Sequence, residues 1–150
     1  MTNSIDFLNK TVTVVMDRPM GSKHHKVGFI YPVNYGYIPN TVSGDGEEID
    51  VYVVGVDKPI KTIEAKVIAV IRRLNDNEDK LVACPVSCKE KYTKQQIIDL
   101  TYFQEKYFKS EVYIAVFCAI VITMYTLISY VKTIFSEHRK VYKQEIACIR

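Results

Sequence analysis

The sequence lacks the features that assign a chain to a zinc-binding, nucleic-acid-binding or secreted class. Its four cysteines have no second Cys or His pair beside them, as a zinc site would need, so structural thiols are predicted. The formal net charge is only +3, with acidic and basic residues interspersed, so the basic surface used to bind nucleic acid is missing. No cationic, apolar leader opens the chain, which favours a cytoplasmic protein.

The residue pattern up to about position 110 predicts one compact β-rich core. Alternating apolar residues between turn signals predict strands at 11–16, 49–56, 63–71 and 81–84. Short strands of this kind favour an antiparallel barrel or a curled sheet. Thr93 and Gln96 then form a capping-box pattern, and Ile97, Leu100, Phe103 and Tyr107 follow at helical spacing. An amphipathic helix is therefore predicted to pack on the sheet.

Residues 112–131 form an uncharged run between Glu111 and Lys132. About twenty such residues can cross a bilayer as a helix, and tyrosines near its ends suit a membrane interface. A buried helix, or a tail appended to a complete domain, explains the run equally well. The chain is therefore divided into a domain over 1–110 and a hydrophobic tail over 111–150, and membrane anchoring through 112–131 is left open.

Four acidic side chains lie within six positions next to a predicted strand: Asp45, Glu47, Glu48 and Asp50. Carboxylates this close repel one another unless a cation neutralises them, so a bound divalent metal is one explanation. A solvated acidic loop is the alternative. A calcium-binding EF-hand is excluded, because a β-patterned run follows the loop where a helix would be required.

Residues 31–40 read Tyr-Pro-Val-Asn-Tyr-Gly-Tyr-Ile-Pro-Asn and closely precede this acidic cluster. In order, spacing and residue type, the combined segment resembles the signature of family I inorganic pyrophosphatases, where Tyr-Pro-x-Asn-Tyr-Gly-Tyr-Ile precedes Asp-Gly-Asp-Pro-x-Asp. Residues 15–19, 76–83 and 101–107 are similar to a strand end, a second acidic cluster and the C-terminal helix of that family. The resemblance covers residues 11 to about 110.

The resemblance implies an α+β fold, namely a small five-stranded OB-like β-barrel with flanking helices, to which the hydrophobic C-terminal helix would be added. It implies hydrolysis of inorganic diphosphate to two phosphates by a metal-bound water, with Mg²⁺ or Mn²⁺ as the cofactor. Family relatives form hexamers, so a homo-oligomer is left open. Single-stranded nucleic-acid binding, the other common use of such a barrel, is disfavoured by the acidic face.

The resemblance also assigns roles by position. Metal ligands would be Asp17, Asp45, Asp50, Asp76 and Glu78. Glu47 would be the general base, and the groups on phosphate would be Tyr35, Lys80 and Tyr107.

The sequence departs from the family pattern in ways that favour a rival function. Glu47 is one methylene longer than the family's Asp, and small misplacements of a reacting group can reduce rates about a hundredfold. Phe108 stands where the family has Lys, and the short loop at 20–28 has no secure counterpart of the family's Lys, Glu and phosphate-binding Arg. The alternative function is therefore a non-catalytic module that binds diphosphate, a nucleotide or a metal.

Overall fold

The computed structural model describes residues 3–115 and 130–131. A short 3-10 helix, Ser4–Phe7, opens the described chain. Six strands and one α-helix follow: β1 (Thr11–Arg18), β2 (Asn34–Ile38), β3 (Ile49–Val53), β4 (Thr62–Arg73), β5 (Lys80–Pro85), α1 (Lys94–Glu105) and β6 (Ser110–Ile114). The four predicted strands correspond to β1, β3, β4 and β5, so β2 and β6 are additions to the prediction.

The strands form one sheet that closes on itself. Their order is β1-β2-β3-β5-β4-β6, and a further pairing between β1 and β4 closes the first five into a barrel. All pairs are antiparallel except β3 with β5, which are parallel. The predicted five-stranded OB-like barrel is thus confirmed. It contains both parallel and antiparallel pairs, because β4, which lies between β3 and β5 in the chain, pairs on the other side of β5.

Alternation along β3 separates the inside of the barrel from the layer beneath α1. Val51 and Val53 are fully buried in the barrel interior. Tyr52, on the opposite face, belongs to a second core with Ile97 of α1. Asp50 shares the face of Tyr52, because successive side chains of a strand point to opposite sides. The predicted alternation of β3 therefore directs Asp50 away from the barrel interior.

The start of α1 has the predicted capping box. The Thr93 hydroxyl accepts a hydrogen bond from the backbone N–H of Gln96 at 3.3 Å, and the Gln96 side chain accepts one from the backbone N–H of Thr93 at 2.8 Å. The buried face of the helix consists of Ile97, Thr101 and Glu105. It is more polar than the predicted apolar stripe, because it carries a carboxylate beneath the helix.

Replacing Thr93 by Ala is expected to destabilise the domain by about 1 kcal/mol, the usual effect of losing an N-cap side chain. The backbone N–H of Gln96 would lose its acceptor. Urea unfolding followed by circular dichroism measures the change, and Thr93→Ser, which keeps the hydroxyl, is the control. Equal midpoints for Thr93→Ala and Thr93→Ser would contradict this account of the cap.

The end of the barrel domain extends into the run predicted as a membrane span. β6 pairs antiparallel with β4, from Ser110 opposite Arg73 to Ile114 opposite Ala69. The predicted boundary at residues 110/111 therefore lies inside a strand, and the first residues of 112–131 are strand rather than helix. Most of that predicted span lies outside the described residues. Within the described part, no helix is both long and apolar enough to cross a membrane.

Candidate active site

Two carboxylates and one ammonium form the centre of the site. Lys80, the first residue of β5, places Nζ 2.5 Å from Asp50 Oδ2 and also in contact with Glu78 Oε2. Tyr35 of β2 donates its hydroxyl to the same Asp50 oxygen at 2.5 Å. The strand order places β3 between β2 and β5, so Asp50 can receive both donors. Four predicted site residues are thus brought into one cluster.

Burial shifts the pKa values of two residues in this cluster. It raises the pKa of Glu78 to about 7; the charge of Lys80 opposes that rise, and the hydrogen bond with Asp50 adds to it. Burial, with the charge of Asp50, also raises the pKa of Tyr35 well above its ordinary value, so this hydroxyl acts as a donor near neutral pH. When the adjoining Asp76 and Glu105 are counted, four carboxylates share two buried cations, Lys80 and Arg73. A further cation would therefore be stabilised here.

Asp17 lies at an irregularity in β1. The pairing of β1 with β2 shifts between Met16 and Arg18, which makes Asp17 the extra residue of a β-bulge. Burial raises the pKa of Asp17, the charge of Arg18 lowers it, and the charge of Asp50 adds to the rise. Asp17 therefore lies within electrostatic range of Asp50.

A glycine brings the two acidic loops together. A Cβ built on Gly44 would lie only 1.8 Å from the backbone oxygen of Asn77, so the loop before β3 presses on the loop before β5 at this point. Asp45 and Asp76, the chain neighbours of these two residues, are consequently on adjoining loops. The predicted proximity of the two acidic segments is therefore seen in their backbones.

The side chains of the first loop stay apart from the cluster. Asp45 accepts a hydrogen bond from the backbone N–H of Glu47 at 3.0 Å, and both side chains are exposed. Within residues 3–115 and 130–131, no group of three or more His, Cys, Asp or Glu side chains is arranged to hold a metal. The structure thus brings the predicted ligands to one region without gathering their oxygens around one point.

Sequence reasoning missed a buried ion pair behind the second acidic loop. Arg73, at the end of β4, binds the Glu105 carboxylate through two bonds, from Nη2 at 2.7 Å and from Nε at 3.1 Å. Its Nη1 donates to Asp76 at 3.0 Å. Burial lowers the pKa of Arg73, but the hydrogen bonds and charge of Glu105 outweigh it, and the pKa is raised. The available signal was the spacing of Glu105 four residues after Thr101, on the same helix face.

Tyr107 lies beyond the end of α1, and 57% of its surface is exposed. It borders a cavity of about 260 Å³, whose other lining residues are His24, Val27, Phe29, Gln104 and Phe108. The hydrogen bonds and ion pairs of the described residues do not join Tyr107 to Asp50 or Glu78. The structure therefore places this predicted phosphate ligand beside an aromatic cavity, apart from the carboxylate pair.

Comparison with known proteins identifies what the chain is similar to. The family model described as inorganic pyrophosphatase matches residues 3–114. An inorganic pyrophosphatase of Neisseria meningitidis is 44% identical over 62 residues, which are 38% of this chain and 34% of that protein. One from Rickettsia prowazekii is 30% identical over 100 residues, covering 53% of this chain and 58% of that protein. The matched segments thus span less than two thirds of either relative.

Solved structures show the same fold. The crystal structure of inorganic pyrophosphatase from Ehrlichia chaffeensis superposes with a TM-score of 0.57 at 20% identity, covering 72% of this chain and 88% of that chain. The inorganic pyrophosphatase of Helicobacter pylori gives a TM-score of 0.52, also at 20% identity, covering 72% of this chain and 84% of that chain. Likeness at this identity extends to the barrel and does not extend to individual side chains.

Proposed function

The chain belongs to the inorganic pyrophosphatase family, whose model matches residues 3–114, and from this we propose that it hydrolyses inorganic diphosphate to two phosphates. The observation that carries the proposal is the partly buried pair of Asp50 and Glu78, bridged by the buried Lys80 and fixed by Tyr35. Four residues that the resemblance assigns to metal and phosphate thus lie in contact. Their grouping follows from the pairing of β2, β3 and β5.

The donor chemistry of the site fits divalent magnesium. Carboxylate oxygens are the ligands that Mg²⁺ prefers, and four carboxylates here face only two cations, Lys80 and Arg73. Asp45 and Asp76 lie on the two adjoining acidic loops and Asp17 on β1, and we propose that they supply further oxygens when a metal binds. When bound, such ions neutralise diphosphate and lower the pKa of a water molecule towards neutrality. Mn²⁺ meets the same donor set and is the second choice of metal.

Four residues besides the metal ligands have distinct parts in this proposal. Tyr35 holds the Asp50 carboxylate in one orientation through its hydroxyl. Lys80, 2% exposed, keeps a fixed positive charge beside the carboxylates and offsets the charge of the leaving phosphate. Glu47, on the exposed loop, takes the proton of the attacking water. Tyr107, which borders the separate aromatic cavity, would hydrogen-bond a phosphate oxygen.

A phosphate-release assay with the full-length chain tests the proposal. We expect phosphate to appear from diphosphate when magnesium is present, and release to stop when a chelator removes the metal and to return when magnesium is restored. No release with either magnesium or manganese would contradict hydrolysis. Diphosphate binding measured by calorimetry, with no release, would instead support the non-catalytic binding module.

Location and assembly are proposed and tested separately from activity. We propose that the barrel domain works in the cytoplasm, in keeping with the family to which it belongs. Membrane attachment through 112–131 and a homo-oligomer stay predictions from the sequence. Fractionation of the full-length protein in the absence of detergent tests the first, and light scattering tests the second.

A further inference from the structure

Arg73 carries a full charge into the interior, where only 3% of its side chain is exposed. A buried guanidinium is costly unless its donors are matched by acceptors, so its partners indicate what it does. On one side the acceptors are the two oxygens of Glu105, and on the other they belong to the second acidic loop. Arg73 therefore connects the helix layer to the carboxylates of the proposed site.

The Glu105 side of this connection is rigid. Arg73 and Glu105 form two parallel bonds, a geometry that fixes both the distance and the plane of the guanidinium. Glu105 is itself held by the Tyr52 hydroxyl at 2.7 Å and the Ser110 hydroxyl at 3.2 Å. The ring of Phe108 lies against the guanidinium, with its centroid 3.5 Å from Cζ. Arg73 thus has little freedom to turn.

The opposite side of the guanidinium faces the proposed metal ligands. Nη1 of Arg73 lies 3.0 Å from Asp76 Oδ2 and 3.9 Å from Glu78 Oε2. Glu78 in turn contacts Lys80, which contacts Asp50. The rigid end of the connection therefore holds Asp76 directly and lies near Glu78, which Lys80 contacts from the other side.

We propose that Arg73 is a positioning residue, which uses its anchorage on Glu105 to hold Asp76 and Glu78 in the orientation that binds divalent cations. This inference rests on the proposed function. Direct binding of phosphate by Arg73 is disfavoured, because each of its three nitrogens already donates to a carboxylate, Nε and Nη2 to Glu105 and Nη1 to Asp76. Groups that orient metal ligands commonly change metal affinity 10- to 100-fold when they are removed.

Metal affinity measured without substrate tests the inference. Arg73→Lys keeps the charge but cannot form two parallel bonds, and Glu105→Gln keeps the shape but weakens the anchor. We expect both variants to fold, by circular dichroism, and Arg73→Lys to bind magnesium about 10- to 100-fold more weakly in calorimetry. The magnesium concentration for half-maximal phosphate release should rise with it, and kcat at saturating magnesium should fall less.

Arg72→Lys is the matched control. Arg72 is the adjacent residue, its side chain is 40% exposed, and it lies 3.7 Å from Asp79. Its replacement should leave magnesium affinity unchanged. Wild-type affinity in folded Arg73→Lys, or failure of both Arg73→Lys and Glu105→Gln to fold, would overturn the positioning role and leave a purely structural ion pair. A wild-type protein that neither binds magnesium nor releases phosphate would instead remove the proposed function itself.

Discussion

Asp50→Asn is expected to reduce phosphate release from diphosphate by more than about a hundredfold, since even groups that only orient a metal ligand change activity 10- to 100-fold. The substitution preserves the shape of the side chain and removes its charge. Both Tyr35 and Lys80 direct their donors at Asp50 Oδ2, so one neutral amide would face a buried ammonium. Initial rates at saturating magnesium measure the effect.

Asp57→Asn is a suitable control for this substitution. Asp57 is an exposed carboxylate that follows β3 along the chain and lies outside the cluster. Its replacement should leave both the rate and the unfolding midpoint unchanged. If Asp50→Asn hydrolysed diphosphate as fast as the wild type, the assignment of Asp50 would be refuted, and the proposed metal site would lose its central ligand.

Gly44→Ala is expected to lower both stability and magnesium affinity. Its new methyl group would lie 1.8 Å from the backbone oxygen of Asn77, so the two acidic loops would have to separate. Overpacking of this kind typically destabilises a protein by about 1–3 kcal/mol. Urea unfolding measures the first effect, and calorimetric titration with magnesium measures the second.

Gly46→Ala separates the clash from the general effect of removing a glycine. Gly46 lies in the same loop with φ of 93°, and a Cβ built on it meets no atom within 4 Å. We expect Gly46→Ala to lower the free energy of unfolding by about 1–2 kcal/mol, because an alanine is strained in a left-handed backbone conformation. It should cause no clash between the loops. A smaller loss of magnesium affinity in Gly44→Ala than in Gly46→Ala would contradict the role given to the contact with Asn77.

Local signals were enough to place most of the framework of the site. The alternation of β3 correctly separated Asp50 from Val51, because one face of that strand is polar where it leaves the core. The capping box at Thr93 was also correct, since its hydrogen bonds join residues only three positions apart. Signals of this kind depend only on residues that are a few positions apart, so they can be recognised without knowing the partners of the segment.

Elements whose partners are distant could not be predicted in the same way. β2 is buried on both faces at Asn34, Tyr35 and Gly36, so its sequence shows no alternation of polar and apolar residues. The uncharged composition of the run at 112–131 concealed a strand at its start. Arg73 and Glu105 lie 32 residues apart, so the helical spacing that places Glu105 on the buried face of α1 could not show that Arg73 is its partner.

The parallel pairing of β3 with β5 also limits how the chain can misfold. Val51 lies opposite Leu81 and Tyr52 opposite Val82, which sets Asp50 level with Lys80. A slip of one position would carry Lys80 to the opposite face of the sheet, towards the apolar interior, and would leave Asp50 beside Asp79 or Leu81. Either slip breaks the ion pair of Asp50 and Lys80. It also leaves Lys80 without a carboxylate partner on β3. The ion pair of Asp50 and Lys80, to which we assign a part in the reaction, therefore also disfavours wrong registers while the barrel closes.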